Sequence, residues 1–336
     1  MINNFFIFFI IFTSALTFFC RKFNVLIDQK IEKHKKYSTK NKSFLIGGIL
    51  IISFLNYYYL FVKQNPALCL FISLVFLIGL MSDLKKINSV SLRFFLQCVI
   101  VLLFVNFLNI KISFTRIDIF DQWLNVPLAN IIFVTFCLLV LKNGSNFIDG
   151  INGLTIGYFL LIFLIIFLKL NHLEYDKNLS ENFIIILFII LLLNLKGILY
   201  LGDSGSYTIG LFTGIFLIDF AFINNSISPY FIIVLLWYPC FELLFSIIRR
   251  YFQKLKTYNP DITHLHHLVY KKIKTYFKIK NDSISHFISA IIINFYNLLC
   301  FSISIKFVYS SSTLIIIFFI NILVYIISYH YLKKII

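Results

Sequence analysis

An all-α integral membrane protein is the fold class that this sequence predicts, and three observations predict it. Of its 336 residues, 60% are hydrophobic and 13% charged, against roughly 25% charged in an average soluble domain. The mean hydropathy is +0.90. The apolar residues are gathered in eleven runs, most of them near the roughly 20 residues a helix needs to cross about 30 Å of hydrocarbon. A backbone at that depth must satisfy its own hydrogen bonds, which a helix does within one segment.

In order, the predicted spans cover 4–20, 44–62, 67–81, 92–108, 128–141, 154–168, 183–195, 207–223, 230–248, 286–305 and 313–328. The fifth and seventh are short and borrow residues from their flanks. MINNFFIFFIIF has no basic residue ahead of its apolar run, so it reads as a retained first span instead of a cleaved leader.

Eleven crossings place the termini on opposite sides. The loops after odd-numbered spans, with the C-terminal tail, hold 24 of the 30 Lys and Arg. The positive-inside rule then puts the N-terminus outside and the C-terminus in the cytoplasm. The formal charge of +16 is thereby a match for anionic lipid headgroups and does not call for nucleic acid. The six cysteines are scattered through or beside the apolar runs, which indicates neither a disulfide framework nor a thiolate metal site. The chain reads as one polytopic membrane domain over 1–336. Its cytoplasmic loops near 21–43, 82–91, 142–153, 196–206 and 249–285 are expected to form the site. Within the last, LHHLVYKKIKTYFKIK alternates apolar and basic faces, the pattern of a helix lying on the membrane surface.

Polar chemistry collects on that same side. MSDLKKINSVSLRFFLQ, KNGSNFIDGINGL, YLGDSGSYTIG and RRYFQKLKTYNPDITHLHH each follow an odd-numbered span. Acids at membrane depth are costly and usually functional, so Asp83, Asp149 and Asp203 are the candidate catalytic residues. Three carboxylates in one cavity call for a hard cation, and magnesium takes oxygen ligands and shares them with phosphates. The glycines of DGING and GDSGS bring backbone donors to helix starts that favour anions, and Arg93, Arg249 and the histidines supply a basic rim. A phosphorylated substrate suits that set. Asp203 and Asp149 also suit helix caps, and Asp83 an interfacial position. Zinc at His264, His266 and His267 is disfavoured, since neither Cys nor a nearby Glu accompanies them.

NGSNFIDGINGL, YLGDSGS and DITHLHH, in that order between apolar spans, resemble the polyprenyl-phosphate N-acetylhexosamine-1-phosphate transferases, the superfamily that includes phospho-MurNAc-pentapeptide translocase. The likeness runs from about 34 to His267. It implies transfer of a HexNAc-1-phosphate, with GlcNAc favoured, from a UDP-sugar to undecaprenyl phosphate with release of UMP. It further implies magnesium, with manganese as a substitute, and a bacterial cytoplasmic membrane as the location, and it leaves homodimer formation open. By that resemblance Asp203 is the metal ligand, with Asp83 a second candidate. Asn143, Asn146, Asp149 and Asn152 belong to the nucleotide-binding segment, and Arg93, Arg249, His264, His266 and His267 to the phosphate rim. Two positions depart from the family pattern: Ser82 stands where the first of two paired acids is expected, and Asn152 replaces the second Asp of DGIDG. A phosphate monoester with a second pKa of about 6 is already mostly ionised at neutral pH, so loss of a base is tolerable. HLHH and LIGGI favour the branch that serves O-antigen, common antigen, teichoic acid or capsule over the peptidoglycan translocase. A transporter would instead spread polar residues through the depth of several spans. An inactive relative remains the other reading, on the strength of Ser82 and Asn152.

Overall fold

The computed structural model describes residues 2–27, 43–254, 263–279 and 281–335. Thirteen helices follow in order among them: α1 (Ile2–Phe23), α2 (Gly47–Tyr57), α3 (Pro66–Asp83), α4 (Val90–Phe107), α5 (Asp118–Leu124), α6 (Pro127–Phe147), α7 (Leu154–Lys169), α8 (Lys177–Leu195), α9 (Gly202–Ile223), α10 (Pro229–Phe252), α11 (Leu265–Tyr276), α12 (Asp282–Ile305) and α13 (Ser311–Ile335). Eight of these are long and apolar enough to cross a bilayer, and two shorter apolar helices lie at Gly47–Val62 and Leu154–Lys169. Each of the eleven predicted runs falls on one of the helices. The expected site loop near 21–43 lies mostly outside the described residues.

Local chemistry sets the helix starts. Asn65 accepts the Leu68 N–H ahead of Pro66, Ser89 accepts that of Leu92, and Asp176 that of Leu179. Each satisfies a donor that the first turn leaves open. Pro239 interrupts α10 and removes the N–H that would have met the Leu235 carbonyl. The hydroxyl of Tyr158, on α7, donates to that carbonyl at 2.7 Å, so no acceptor is stranded in the apolar interior.

Helix α9 is the centre of the bundle: 15 of its 22 residues are buried, against four of 25 in α13. Its main neighbours are α6, α3 and α2. Small residues permit this contact, as in helix pairs generally where no hydrophobic effect drives association within lipid. A Cβ on Gly79 would overlap the backbone of Ser204, so α3 and α9 touch main chain to main chain. At the end opposite the acids, α2 finishes in a π-helical turn, Tyr58–Val62. There the Tyr58 hydroxyl and Lys63 both reach Asp176 at 2.8 Å, beside a cavity of about 850 Å³ that Asp219 and Lys111 also line.

Helix α11 forms where the basic amphipathic pattern predicts one, but it does not lie on lipid along its whole apolar face. Leu265, Leu268 and Ile273 are buried, and the helix packs on α12 and α13. Tyr276 and Phe277 at its end remain exposed.

Candidate active site at the polar ends of the helices

Several of the residues read as loop are helix. Lys142 to Phe147 complete the last turns of α6, Gly202 to Ser206 make the first turn of α9, and Arg249 belongs to α10. The site is therefore built mainly from helix ends, which are stiffer supports than loops.

Asp203, in the first turn of α9, is the hub. Its Oδ2 accepts from Ser82 Oγ at 2.6 Å and from Arg93 Nη1 at 2.7 Å, and its Oδ1 accepts from Asn146 Nδ2 at 2.9 Å. Arg93 also contacts the Ser82 hydroxyl, and Asn146 also donates to Ser206 Oγ. Four helices, α3, α4, α6 and α9, thus meet on one carboxylate. Ser82 is neutral and can donate, so it serves as a partner to Asp203 where an acid would repel it.

Asp83 does a different job. Its Oδ1 accepts the Asp203 N–H at 2.8 Å, and its Oδ2 accepts the Ser204 N–H at 3.0 Å and the Ser204 hydroxyl at 2.7 Å. A carboxylate from the end of α3 therefore caps α9, where backbone donors and the helix dipole both favour a negative charge. Capping is present at this acidic pair, and Asp83 supplies it across helices.

The second half of the site hangs on the turn after α6. Phe147 packs edge-on to the His264 ring at 5.3 Å. A Cβ on Gly150 would lie 2.5 Å from His266 Nε2 and 2.7 Å from His267 Cε1, so only a glycine lets the turn sit this close to the histidines. The three rings cluster within 4.3–5.9 Å of one another. His264 is oriented by Glu242 of α10, whose Oε1 lies 2.9 Å from His264 Nδ1 and whose Oε2 accepts from the Tyr325 hydroxyl. This corrects the reading that no acid accompanies the histidines: Glu242 is 22 residues away in sequence, a separation that no local motif signals. His266 is buried, and neither of its ring nitrogens has a hydrogen-bond partner. Burial, with His267, His264 and His286 nearby, holds its pKa well below the usual 6.5, so the ring is neutral.

The remaining predicted residues are placed as follows. Asp149 lies half-buried in the turn after α6, its N–H on the Asn146 carbonyl. Asn143 turns back on α6, donating to Leu139 O. Asn152 is buried, and its backbone N–H meets His286 Nδ1 at 3.4 Å. Arg249 donates to Thr263 O and to the Tyr329 hydroxyl; it braces the backbone that leads into His264 and does not reach the Asp203 network. Sequence reasoning passed over Ser204, Ser206, His286 and, most notably, the fully buried Lys142, and it placed Glu242 at the cytoplasmic end of its span without a role.

Oxygen chemistry fits a magnesium ion here. Asp203 Oδ1 and Asp83 Oδ1 each accept one hydrogen bond, which leaves each a lone pair. One or two carboxylates with substrate phosphates and water is the usual magnesium shell. Among the described residues no group of three His, Cys, Asp or Glu side chains could hold a metal by itself.

Helix ends here bring together paired acids, a half-buried arginine and a cluster of three histidines. With the sequence likenesses that follow, they place the protein among integral membrane enzymes of the glycosyl-1-phosphate transferase class. The profile of glycosyl transferase family 4 matches residues 65–221. It is 26% identical over 262 residues, 78% of both chains, to an undecaprenyl-phosphate alpha-N-acetylglucosaminyl 1-phosphate transferase of Thermotoga maritima. An enzyme of the same name from Yersinia pestis is 25% identical over 282 residues, 78% of this chain and 75% of its own.

Proposed function

We propose that the protein transfers a HexNAc-1-phosphate, GlcNAc-1-phosphate by preference, from a UDP-sugar to undecaprenyl phosphate at the cytoplasmic face of a bacterial inner membrane, in the first membrane step of a cell-surface glycan. The carrying observation is the Asp203 network, a carboxylate shared by four helix ends beside a second carboxylate, with Arg93 bound to it. The donor preference draws on the names of the two relatives.

In this reading an ionised oxygen of the lipid phosphate attacks the sugar-bearing phosphorus, the bond to the UMP oxygen breaks, and UMP leaves with the electron pair. Such transfers depend on placing the reactants and offsetting charge, with little covalent work for the protein. Asp203 and Asp83 would hold magnesium, which when bound neutralises charge on the diphosphate. Arg93 balances the negative charge gathered at Asp203. His266 and His267, neighbours of the turn that carries Asp149, face the diphosphate; a neutral His266 can donate one hydrogen bond to it. Arg249 and the Glu242–His264 pair hold this rim in position. The whole chain acts as one membrane domain.

The test is purified protein with radiolabelled UDP-GlcNAc, undecaprenyl phosphate and Mg²⁺, followed by a panel of other UDP-HexNAc donors. Labelled lipid and UMP are expected. Asp203→Ala should reduce turnover by roughly 10²-fold or more, the scale of losing one preorganised electrostatic contact. Full turnover in that variant, or no product with any donor, refutes the reading.

A further inference from the structure

Three helices around Asp203 each carry a second polar residue four positions along: Gln97 after Arg93 on α4, Lys142 before Asn146 on α6, and Tyr207 after Asp203 on α9. Residues so spaced share a helix face, so these form a second layer one turn deeper in the bundle, beneath the bonded layer of Arg93, Asn146 and Asp203.

This inner layer is short of acceptors. Lys142 is 0% exposed. Its Nζ lies 3.3 Å from Asn143 Oδ1 and 4.2 Å from the centroid of the Tyr207 ring. Among the described residues no carboxylate lies within ion-pair distance of it. Asp203 and Arg93 are within electrostatic reach. Gln97 is 1% exposed, and its Nε2 makes no well-formed hydrogen bond, with only the Tyr207 hydroxyl close to it; Arg93 Nε is buried and unpartnered. Buried charges are normally paired and buried amides normally bonded. Here an ammonium, an amide N–H and a guanidinium N–H are left over together. A ligand that only accepts, and carries negative charge, satisfies all three.

We propose that Lys142, with Gln97 beside it, forms an inner phosphate subsite that takes the phosphoryl group of one of the two substrates. The choice of substrates rests on the reaction proposed above; the phosphate chemistry of the subsite does not. The acceptor's monophosphate and the donor's diphosphate share that chemistry, and the experiment separates them.

The protein is purified in nanodiscs as wild type, Lys142→Met and Lys142→Arg. Thermal unfolding is followed without ligand, with inorganic phosphate and with undecaprenyl phosphate, and KM is measured for each substrate. Methionine has nearly the length of lysine without its charge, so Lys142→Met should melt no lower than wild type when ligand-free. It should lose the stabilisation by phosphate, which Lys142→Arg should keep. Its KM should rise at least tenfold for one substrate and stay unchanged for the other, which identifies the source of the phosphate. The subsite is overturned if Lys142→Met keeps the phosphate response and both KM values, if it melts lower while keeping that response, or if wild type responds to neither phosphate probe. A Lys142-dependent phosphate response in a protein without turnover would refute the reaction and leave the subsite standing.

Discussion

Asp83 and Asp203 stand at the ends of two different helices and divide two tasks: one holds the α9 N-terminus, and the other meets the arginine. Both were legible as polar residues among apolar runs, and Asn146 through its motif. Lys142 was not, because a lysine at the end of LLVL reads like any interfacial residue that snorkels to water; only tertiary packing encloses it. His266 yields a pH prediction. Its folded pKa lies below 6.5, so between the two values the unfolded chain binds the extra proton and stability rises with pH. The stability this neutral ring allows is complete above about 6.5 and is lost progressively as the pH falls from there toward the lower folded value. The melting temperature should therefore drop between pH 7.5 and 5.5, and less steeply in His266→Asn. An unchanged slope in the variant would assign the acid sensitivity to other groups.

Among the elements, the long apolar helices were legible from hydrophobic length alone. Their ends were not, since KNGSNF and GDSGS look like turns but are held helical by contacts with distant residues, such as Ser145 against Gly210 and Asp83 on the α9 N-terminus. The short α5, Asp118–Leu124, has too few residues to give a periodic signal. The α3–α9 crossing is the element most sensitive to change. In Gly79→Ala the new methyl would meet main-chain atoms of Ser204, which cannot rotate away. Overpacking of this kind costs about 1–3 kcal/mol. Because Ser204 N–H is held by Asp83, the displacement also moves the Asp203 carboxylate. The variant should melt several degrees lower and lose at least tenfold in turnover. Parallel melting and transfer assays check both, and wild-type values in both would contradict the packing argument.

For the whole molecule, the charge asymmetry makes a statement about sidedness. Lys111, at the cavity end, should face outward, and Lys196, before the helix that carries Asp203, inward; both are exposed. In a background without the six native cysteines, Lys111→Cys should react with a membrane-impermeant maleimide in spheroplasts and Lys196→Cys only after lysis. The reverse pattern would invert the topology. The whole-molecule picture also carries a consequence in time. The central helix α9 follows α3, α4 and α6 in the chain, yet it brings the Asp203 carboxylate that Arg93 binds and the N–H groups that Asp83 binds. At 5–20 residues per second, the roughly sixty residues from Lys142 to Asp203 take several seconds to synthesise. During that interval an acid, a guanidinium and an ammonium wait in or near the bilayer without α9. The nascent chain's most exposed moment thus comes just before its eighth span leaves the ribosome, and the helix that completes the site also ends that exposure.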